Sequence, residues 1–453
     1  MRETSSTPRH RLGQRAALAL YTLVLWLLRP LYVGRLWWRG RAEARYREAI
    51  GERFGRYTAR PGGRSADRGA PASPSLWIHA VSLGETRAAA ALVAELRRRR
   101  PELRFVLTHG TATGREAGAA LLGPDDLQAW LPYDTPAAVQ GFFAAFRPAV
   151  GVLMETEVWP NLVEAARRRG VPIVLANARL SERSQRKARR LEALLRPAVE
   201  QLCLVLAQTE ADATRLREAG ARKVLVAGNV KFDMTPDATL LARGRGWAAA
   251  SQRPVVLAAS TREGEEAALL QAWQASAGRS GAEPRLLVVP RHPQRFGEVA
   301  ALLDRSGLRW SRRSAWGDGL PDAAAQAADV WLGDSMGEMA AYYAAARVAL
   351  LGGSFAPLGG QNLIEAAACG CPVITGPHTF NFELAAELAI EAGAAVRVDS
   401  IDAGVVEARA RCEQSAGETR AAQERCEAFG RAHRGAAARM AEQIAALLPA
   451  RTP

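Results

Sequence analysis

From about residue 75 to residue 398 the chain repeats one pattern: a short apolar run, a polar break, then apolar residues at helical spacing. Strands buried on both faces read as continuous apolar runs, and helices between them cover a parallel sheet on both sides. The runs expected as strands are 76–82, 104–108, 149–154, 171–176, 203–207 and 224–227, separated by helices over 86–99, 136–146, 160–169, 185–200 and 209–219. After a polar linker near 234–252 the pattern restarts, with strands at 255–259, 285–289, 329–332, 347–351, 372–375 and 394–398. The expected fold is α/β: two Rossmann-like, doubly wound domains facing a cleft, over 46–240 and 241–425, with a helical tail at 426–453. Residues 61–74, rich in Pro, Gly, Ser and Ala, read as a flexible link before the first strand.

A chain of 453 residues is long enough for two such cores. With 48% hydrophobic and 23% charged residues it is neither disordered, nor collagen-like, nor a polytopic transporter. Its five Cys form no CxxC pair and no His/Cys cluster, which points to free thiols in a reducing compartment. The net charge is +14, and residues 1–60 hold thirteen Arg and four Glu, so nine of the excess charges lie there. No helix-turn-helix, zinc-finger or RNA-binding signature accompanies them, so nucleic acid is not the expected partner.

Residues 16–28 read AALALYTLVLWLL, followed by Arg29-Pro30 and then Trp37-Trp38 among Arg35, Arg39 and Arg41. Thirteen apolar residues fall short of the roughly 20 that span a bilayer. Aromatic rings beside basic groups suit the membrane interface. Residues 1–45 are therefore expected to form an uncleaved signal-anchor or interfacial helix, with a helix docked on the body as the alternative.

Eight polar clusters follow the expected strand ends: Ser82–Glu85, Glu155–Asn161, Asn229–Asp233, Ser260–Glu263, Pro290–Pro293, Gly333–Glu338, Gly352–Phe355 and Gly359–Glu365. Open α/β sheets bind ligands at that edge. Glu85 lies in His79-Ala-Val-Ser-Leu-Gly-Glu85-Thr86; Ser82 and Glu85 match a helix capping box, and an ionised carboxylate there can also accept a proton from a hydroxyl. Ser260/Glu263 and Ser335/Glu338 repeat the S-x-x-E spacing, with cap and function equally open for the first. Glu155 and Glu157 sit two apart before Pro160, able to align an acceptor or stabilise a transition state, or to form only an acidic turn. Lys231 is one of three Lys in the chain; its compact ammonium suits a developing negative charge, or pairs with Asp233. Gly359-Gly360 before Asn362 and Glu365 suits a phosphate and a ribose, and Arg291 offers a guanidinium fork beside Pro290. His79 reads as a core histidine. No D-x-D occurs, so a metal holding a sugar diphosphate is not indicated.

Taken together, HAVSLGET, ETEVWPNL, NARLSERS, GNVKFD, STREGEE, PRHPQRF, GDSMGEM and GGQNLIEAAACGCPVITGPH, spread over about 76–382, resemble the bacterial Kdo transferases of lipopolysaccharide synthesis. These are inverting glycosyltransferases of the two-Rossmann-domain GT-B type. The resemblance implies CMP-Kdo as donor, a lipid A precursor as acceptor, no cofactor or metal, and work at the cytoplasmic face of the inner membrane. It implies Glu85 as catalytic base, Glu155 and Lys231 as transition-state stabilisers, and Pro290, Arg291, Met336, Gly337, Glu338, Asn362, Leu363 and Glu365 as CMP contacts. Two other readings stay open on the residues alone: another two-domain nucleotide-sugar enzyme, such as a UDP-hexosamine transferase or epimerase, and a non-enzymatic protein that binds anionic lipid.

Overall fold

The computed structural model describes residues 8–41, 43–58, 74–278, 283–316 and 319–450. The chain divides into two units, Met1–Asp233 with Arg434–Pro453, and Met234–His433. The link expected at 61–74 lies outside the described residues but for Pro74, as do the first seven residues of the expected anchor.

The first unit is built on a parallel seven-stranded sheet: β1 (Ser75–His79), β2 (Arg104–His109), β3 (Leu127–Trp130), β4 (Val150–Met154), β5 (Ile173–Ala178), β6 (Leu204–Ala207) and β7 (Val224–Val226). Their order is β3-β2-β1-β4-β5-β6-β7. Alternate side chains of β1 go to opposite cores. Leu76 and Ile78 join Leu92 and Leu96 of helix Leu83–Arg99, while Trp77 joins Phe142 of helix Pro136–Phe146, ring centroids 4.8 Å apart. The connections reverse between β1 and β4, and that reversal opens a crevice at the carboxyl ends of these two strands.

The second unit repeats the plan with β8 (Val255–Thr261), β9 (Arg285–Pro290), β10 (Trp310–Arg312), β11 (Val330–Leu332), β12 (Val348–Leu351), β13 (Val373–Thr375) and β14 (Ala395–Arg397). Its order is β10-β11-β9-β8-β12-β13-β14, with the reversal between β8 and β12. Two strands were not expected from the sequence, β3 and β10, and both lie at a sheet edge. An edge strand is paired on one side only and needs no continuous apolar run, so LQAW and WSR carry little signal.

The expected tail from 426 is shared between the units. Helix Ala416–Ala432 belongs to the second, whereas helix Ala436–Ala445 returns to the first. Its stripe of Ala437, Met440, Ala441 and Ile444 is buried with Leu92 and Leu96, and the Asp233 carboxylate accepts the Gly435 and Ala437 backbone N–H groups at its start. An apolar stripe at helical spacing finds burial there that a free tail would lack.

The N-terminal helices Pro8–Leu27 and Arg29–Arg39 meet at a bend of 48°. Pro30 stands at the start of the second, where its missing N–H costs nothing. They rest on the first unit through a Thr22–Asn161 side-chain hydrogen bond, a Tyr32–Tyr133 stack at 4.7 Å and buried Leu36. Leu20, Leu23, Trp26, Leu27, Trp37 and Trp38 stay exposed. Among the described residues no single helix is long and apolar enough to cross a membrane, and the bent pair meets that test only when taken together.

Candidate functional site

In the first unit Glu85 stands in the first turn of helix Leu83–Arg99, just beyond β1. Ser82 Oγ accepts the Glu85 N–H at 3.3 Å, and the carboxylate turns back to accept the Val81 N–H at 2.8 Å and the Ser82 hydroxyl at 3.1 Å. The capping role is therefore real. It does not exhaust the group, because an ionised carboxylate has about four acceptor sites. Burial raises the Glu85 pKa and the Glu155 charge adds to that, against the Val81 N–H, Ser82 and Lys231, which lower it. A carboxylate with a raised pKa is a better general base.

Glu155 follows β4 directly, in the left-handed region at φ 58°. Its N–H donates to the Ala176 carbonyl and its own carbonyl accepts the Arg179 N–H, so β5 and the residue that follows it hold the turn from both sides. The carboxylate meets Lys231 Nζ at 2.9 Å, with both side chains about one-fifth exposed. Asp233, the partner expected for Lys231 if it merely formed a pair, is occupied by the N–H groups of Gly435 and Ala437. Lys231 lies on a 3₁₀ turn, Val230–Asp233, tied to the sheet by an Asn177 side chain that accepts the Val230 N–H at 3.2 Å. Asn177, fully buried at the end of β5 with φ 52°, was not singled out from the sequence. The available signal was its residue type at a strand end, since Asn tolerates the left-handed region better than most.

Glu157 completes the group. Burial pushes its pKa up to about 7, with the charges of Glu85 and Glu155 adding, while a 2.9 Å hydrogen bond from Trp159 Nε1 opposes the rise. Three carboxylates and one ammonium thus share the carboxyl edge of the first sheet, with Glu85 and Glu155 just beyond the two strands that flank its reversal. His79 is fully buried, with Nδ1 3.0 Å from Thr108, and burial lowers its pKa to about 3, leaving a neutral core residue. Among the described residues no group of three or more His, Cys, Asp or Glu is placed to hold a metal ion.

In the second unit the reversal point is packed backbone to backbone. A Cβ on Gly352 would lie 2.4 Å from the Ser260 carbonyl oxygen, so only glycine fits there. The Gly353 N–H donates to Glu265 at 2.8 Å. The Ser260/Glu263 capping pair does not form, because Ser260 adopts φ 56° and the helix starts later, at Glu265. The buried pair Glu265 and Glu266 takes that place. Glu266 accepts the Thr261 hydroxyl at 2.7 Å and both Arg295 guanidinium nitrogens at 2.6 and 3.1 Å.

The candidate nucleotide contacts gather around helix Met339–Ala345. Burial raises the pKa of Tyr343 on that helix; Glu365 adds to the rise and Arg291 opposes it, so the residue just past β9 and the first turn of helix Leu363–Ala368 approach the same phenol. Pro290 is the buried last residue of β9. Asn362 caps helix Leu363–Ala368 by accepting the Ile364 N–H at 3.2 Å, and Leu363 is buried. Past β11, the neighbour of β9, Met336 is exposed and Gly337 takes φ 81°. Glu338 accepts from Arg243 at 2.7 Å, Arg313 at 2.8 Å and the Ser335 hydroxyl. Burial alone would raise its pKa; these three partners hold it below the usual carboxylate range. Its carboxylate therefore fixes the turn that carries Met336 and Gly337.

Residues 48–234 match the family model for 3-deoxy-D-manno-octulosonic-acid transferase (kdotransferase). The chain is similar to the 3-deoxy-D-manno-octulosonic acid transferase of Bordetella pertussis, 51% identical over 386 residues, covering 83% of this chain and 87% of that one. It is also similar to the transferase of the same name from Haemophilus influenzae, 35% identical over 84% of this chain and 87% of that one. Among solved structures, UDP-GlcNAc 2-epimerase from Neisseria meningitidis aligns with a TM-score of 0.54 at 14% identity, covering 82% of this chain and 100% of that one. At that identity the likeness concerns the fold alone, two Rossmann-like sheets in one chain. An aligned length of 386 residues with 51% identity cannot be confined to either unit, and the chain therefore belongs to the Kdo transferases, a family of glycosyltransferases.

Proposed function

We propose that this chain moves Kdo from CMP-Kdo to a hydroxyl of the tetraacylated lipid A precursor (lipid IVA), with inversion and without a metal ion. The acceptor oxygen bonds to the anomeric carbon of Kdo. Its proton goes to Glu85, the bond from that carbon to CMP breaks, and the electron pair leaves on the CMP phosphate. The observation that carries this reading is the Glu155–Lys231 pair at 2.9 Å, electrostatically coupled to Glu85, in a chain 51% identical to a Kdo transferase. Glu155 fixes the ammonium, and both stabilise charge that develops in the transition state. In the second unit Pro290, Arg291, Met336, Gly337, Glu338, Asn362, Leu363 and Glu365 hold CMP. Arg291 meets its charge, Glu365 accepts ribose hydroxyls, and Glu338 sets the turn through Arg243 and Arg313.

CMP carries a single phosphate, which basic side chains can balance where a diphosphate often takes a metal. Transfer should persist in excess EDTA; complete chelator sensitivity would contradict this. The exposed row Leu20, Leu23, Trp26 and Leu27, with the Arg-rich N-terminal segment, supports work at the cytoplasmic face of the inner membrane. A carbonate wash that frees the full-length protein would argue against an integral anchor. The direct test of the reaction is mass spectrometry of products formed from purified protein, CMP-Kdo and lipid IVA. Calorimetric binding of UDP in preference to CMP would overturn the donor.

A further inference from the structure

The first unit holds a cavity of about 630 Å³ whose lining, Glu155 apart, has no role above. That size lies within the range of ligand-holding pockets, roughly 300–1,000 Å³. Its floor is Leu175, Val199 and Leu216, all buried. One wall is Leu191 and Leu195, which continue to Val199 as a stripe at four-residue spacing along helix Glu192–Glu200. The charged residues of the lining largely pair with one another: Arg196 with Glu192 at 3.0 Å, and Arg189 with Glu218 at 3.5 Å. A sugar or nucleotide seated against Leu and Val would lose its hydrogen bonds to water without replacement. A hydrocarbon chain loses nothing there.

Two further features choose among hydrocarbons. Glu155 and Thr156 line the same cavity, so it reaches the carboxylate that pairs with Lys231. Helix Glu192–Glu200, which supplies the wall, packs against helix Pro8–Leu27, the one that exposes Leu20, Leu23, Trp26 and Leu27. A cavity that reaches the candidate reaction site, and whose wall helix packs against a helix with exposed apolar residues, suits a molecule that is lipid at one end and reactive at the other. We infer that this cavity seats one acyl chain of the glycolipid acceptor and thereby sets acceptor specificity. The inference rests on the function proposed above and adds the subsite.

The test compares two acceptors in the full-length protein at one fixed detergent concentration: lipid IVA and the same phosphorylated disaccharide stripped of its acyl chains. Ala188→Phe and Ala219→Phe each add a ring to the lining. Filling an apolar pocket should raise KM for lipid IVA at least about ten-fold. The kinetics with the deacylated acceptor should not move, which also reports that each variant is folded. Leu195→Ala, which enlarges the cavity, should instead shift preference toward acceptors with a bulkier chain. Equal changes on both acceptors in both Phe variants, or no change on either, would overturn the subsite while leaving the transferase reading intact. Weaker binding of the Phe variants to phosphatidylglycerol vesicles with an unchanged KM for lipid IVA would also overturn it, by assigning the cavity to membrane phospholipid. Failure of the wild-type protein to transfer Kdo to either acceptor would remove the proposed function itself, and this inference with it.

Discussion

Replacing Lys231 with methionine keeps the length of the side chain and deletes its charge. Nζ lies 2.9 Å from Glu155, and the two side chains are 23% and 18% exposed, so water replaces the lost partner only in part. Two consequences follow. A preorganised charge aimed at the transition state is gone, which should lower kcat by about 10²–10³-fold. Glu85 also loses the positive charge of Lys231, which lowers its pKa, while Glu155 continues to raise it. A carboxylate base works deprotonated, so activity falls as pH drops through its pKa. With that pKa moved up, the acid limb of kcat/KM moves to higher pH. Single-turnover transfer of labelled Kdo across the acid-to-alkaline range reads both effects. Lys231→Arg should recover part of the rate and return the acid limb toward its wild-type position. In a double-mutant cycle with Glu155→Gln, the coupling between the two residues should amount to about 0.5–3 kcal/mol. A wild-type kcat with an unmoved acid limb, or strict additivity in the cycle, would refute the reasoning.

Three further expectations concern residues around this pair. The Glu157 carboxyl should titrate at about 7 in a carbon-13 NMR experiment, and Glu85→Gln should lower that value by removing a negative neighbour; an unchanged titration would separate the two groups. Asn177→Gly keeps the left-handed backbone accessible and removes the acceptor of the Val230 N–H, so it should cost about 0.5–1.5 kcal/mol in urea unfolding and lower kcat without changing KM for CMP-Kdo. Glu266→Gln breaks the fork with Arg295, whose partner carboxylate is almost fully buried, and should destabilise by about 3–5 kcal/mol in the same assay; a loss below that range would mean water reaches the pair.

Much of this was legible in the residues because burial on both faces of a sheet leaves an unbroken apolar run. That is why the ten inner strands could be read; of the four edge strands, β7 and β14 still carry short apolar runs, whereas β3 and β10 do not. Site geometry was harder to read where a choice depended on distant chain. The residues offered Asp233 as the pairing partner of Lys231, but Asp233 accepts the N–H groups of the returning Gly435 and Ala437, and Lys231 meets Glu155 instead. Spacing also misled at Ser260. The left-handed Ser260 near the end of β8 and the helix start at Glu265 leave the S-x-x-E spacing without its capping box, and Glu265 and Glu266 take up the backbone and Arg295 instead. Residue types could not show that a carboxylate would be consumed internally, as at Glu338, or that Asn177 would steady the turn of Lys231.

The central claim is that the Glu85 carboxylate does more than cap a helix. Glutamine at this position can still accept the Val81 N–H through its carbonyl oxygen, with its amide NH2 donating to Ser82 Oγ where the carboxylate accepted, so the cap survives, but it cannot take a proton from the acceptor. The deciding measurement is the rate of Kdo transfer to lipid IVA by Glu85→Gln beside its affinity for CMP and its melting temperature. The account predicts a loss of about 10²–10⁴-fold in rate with affinity and melting unchanged. Transfer at the wild-type rate would reduce Glu85 to its capping bonds and contradict the account.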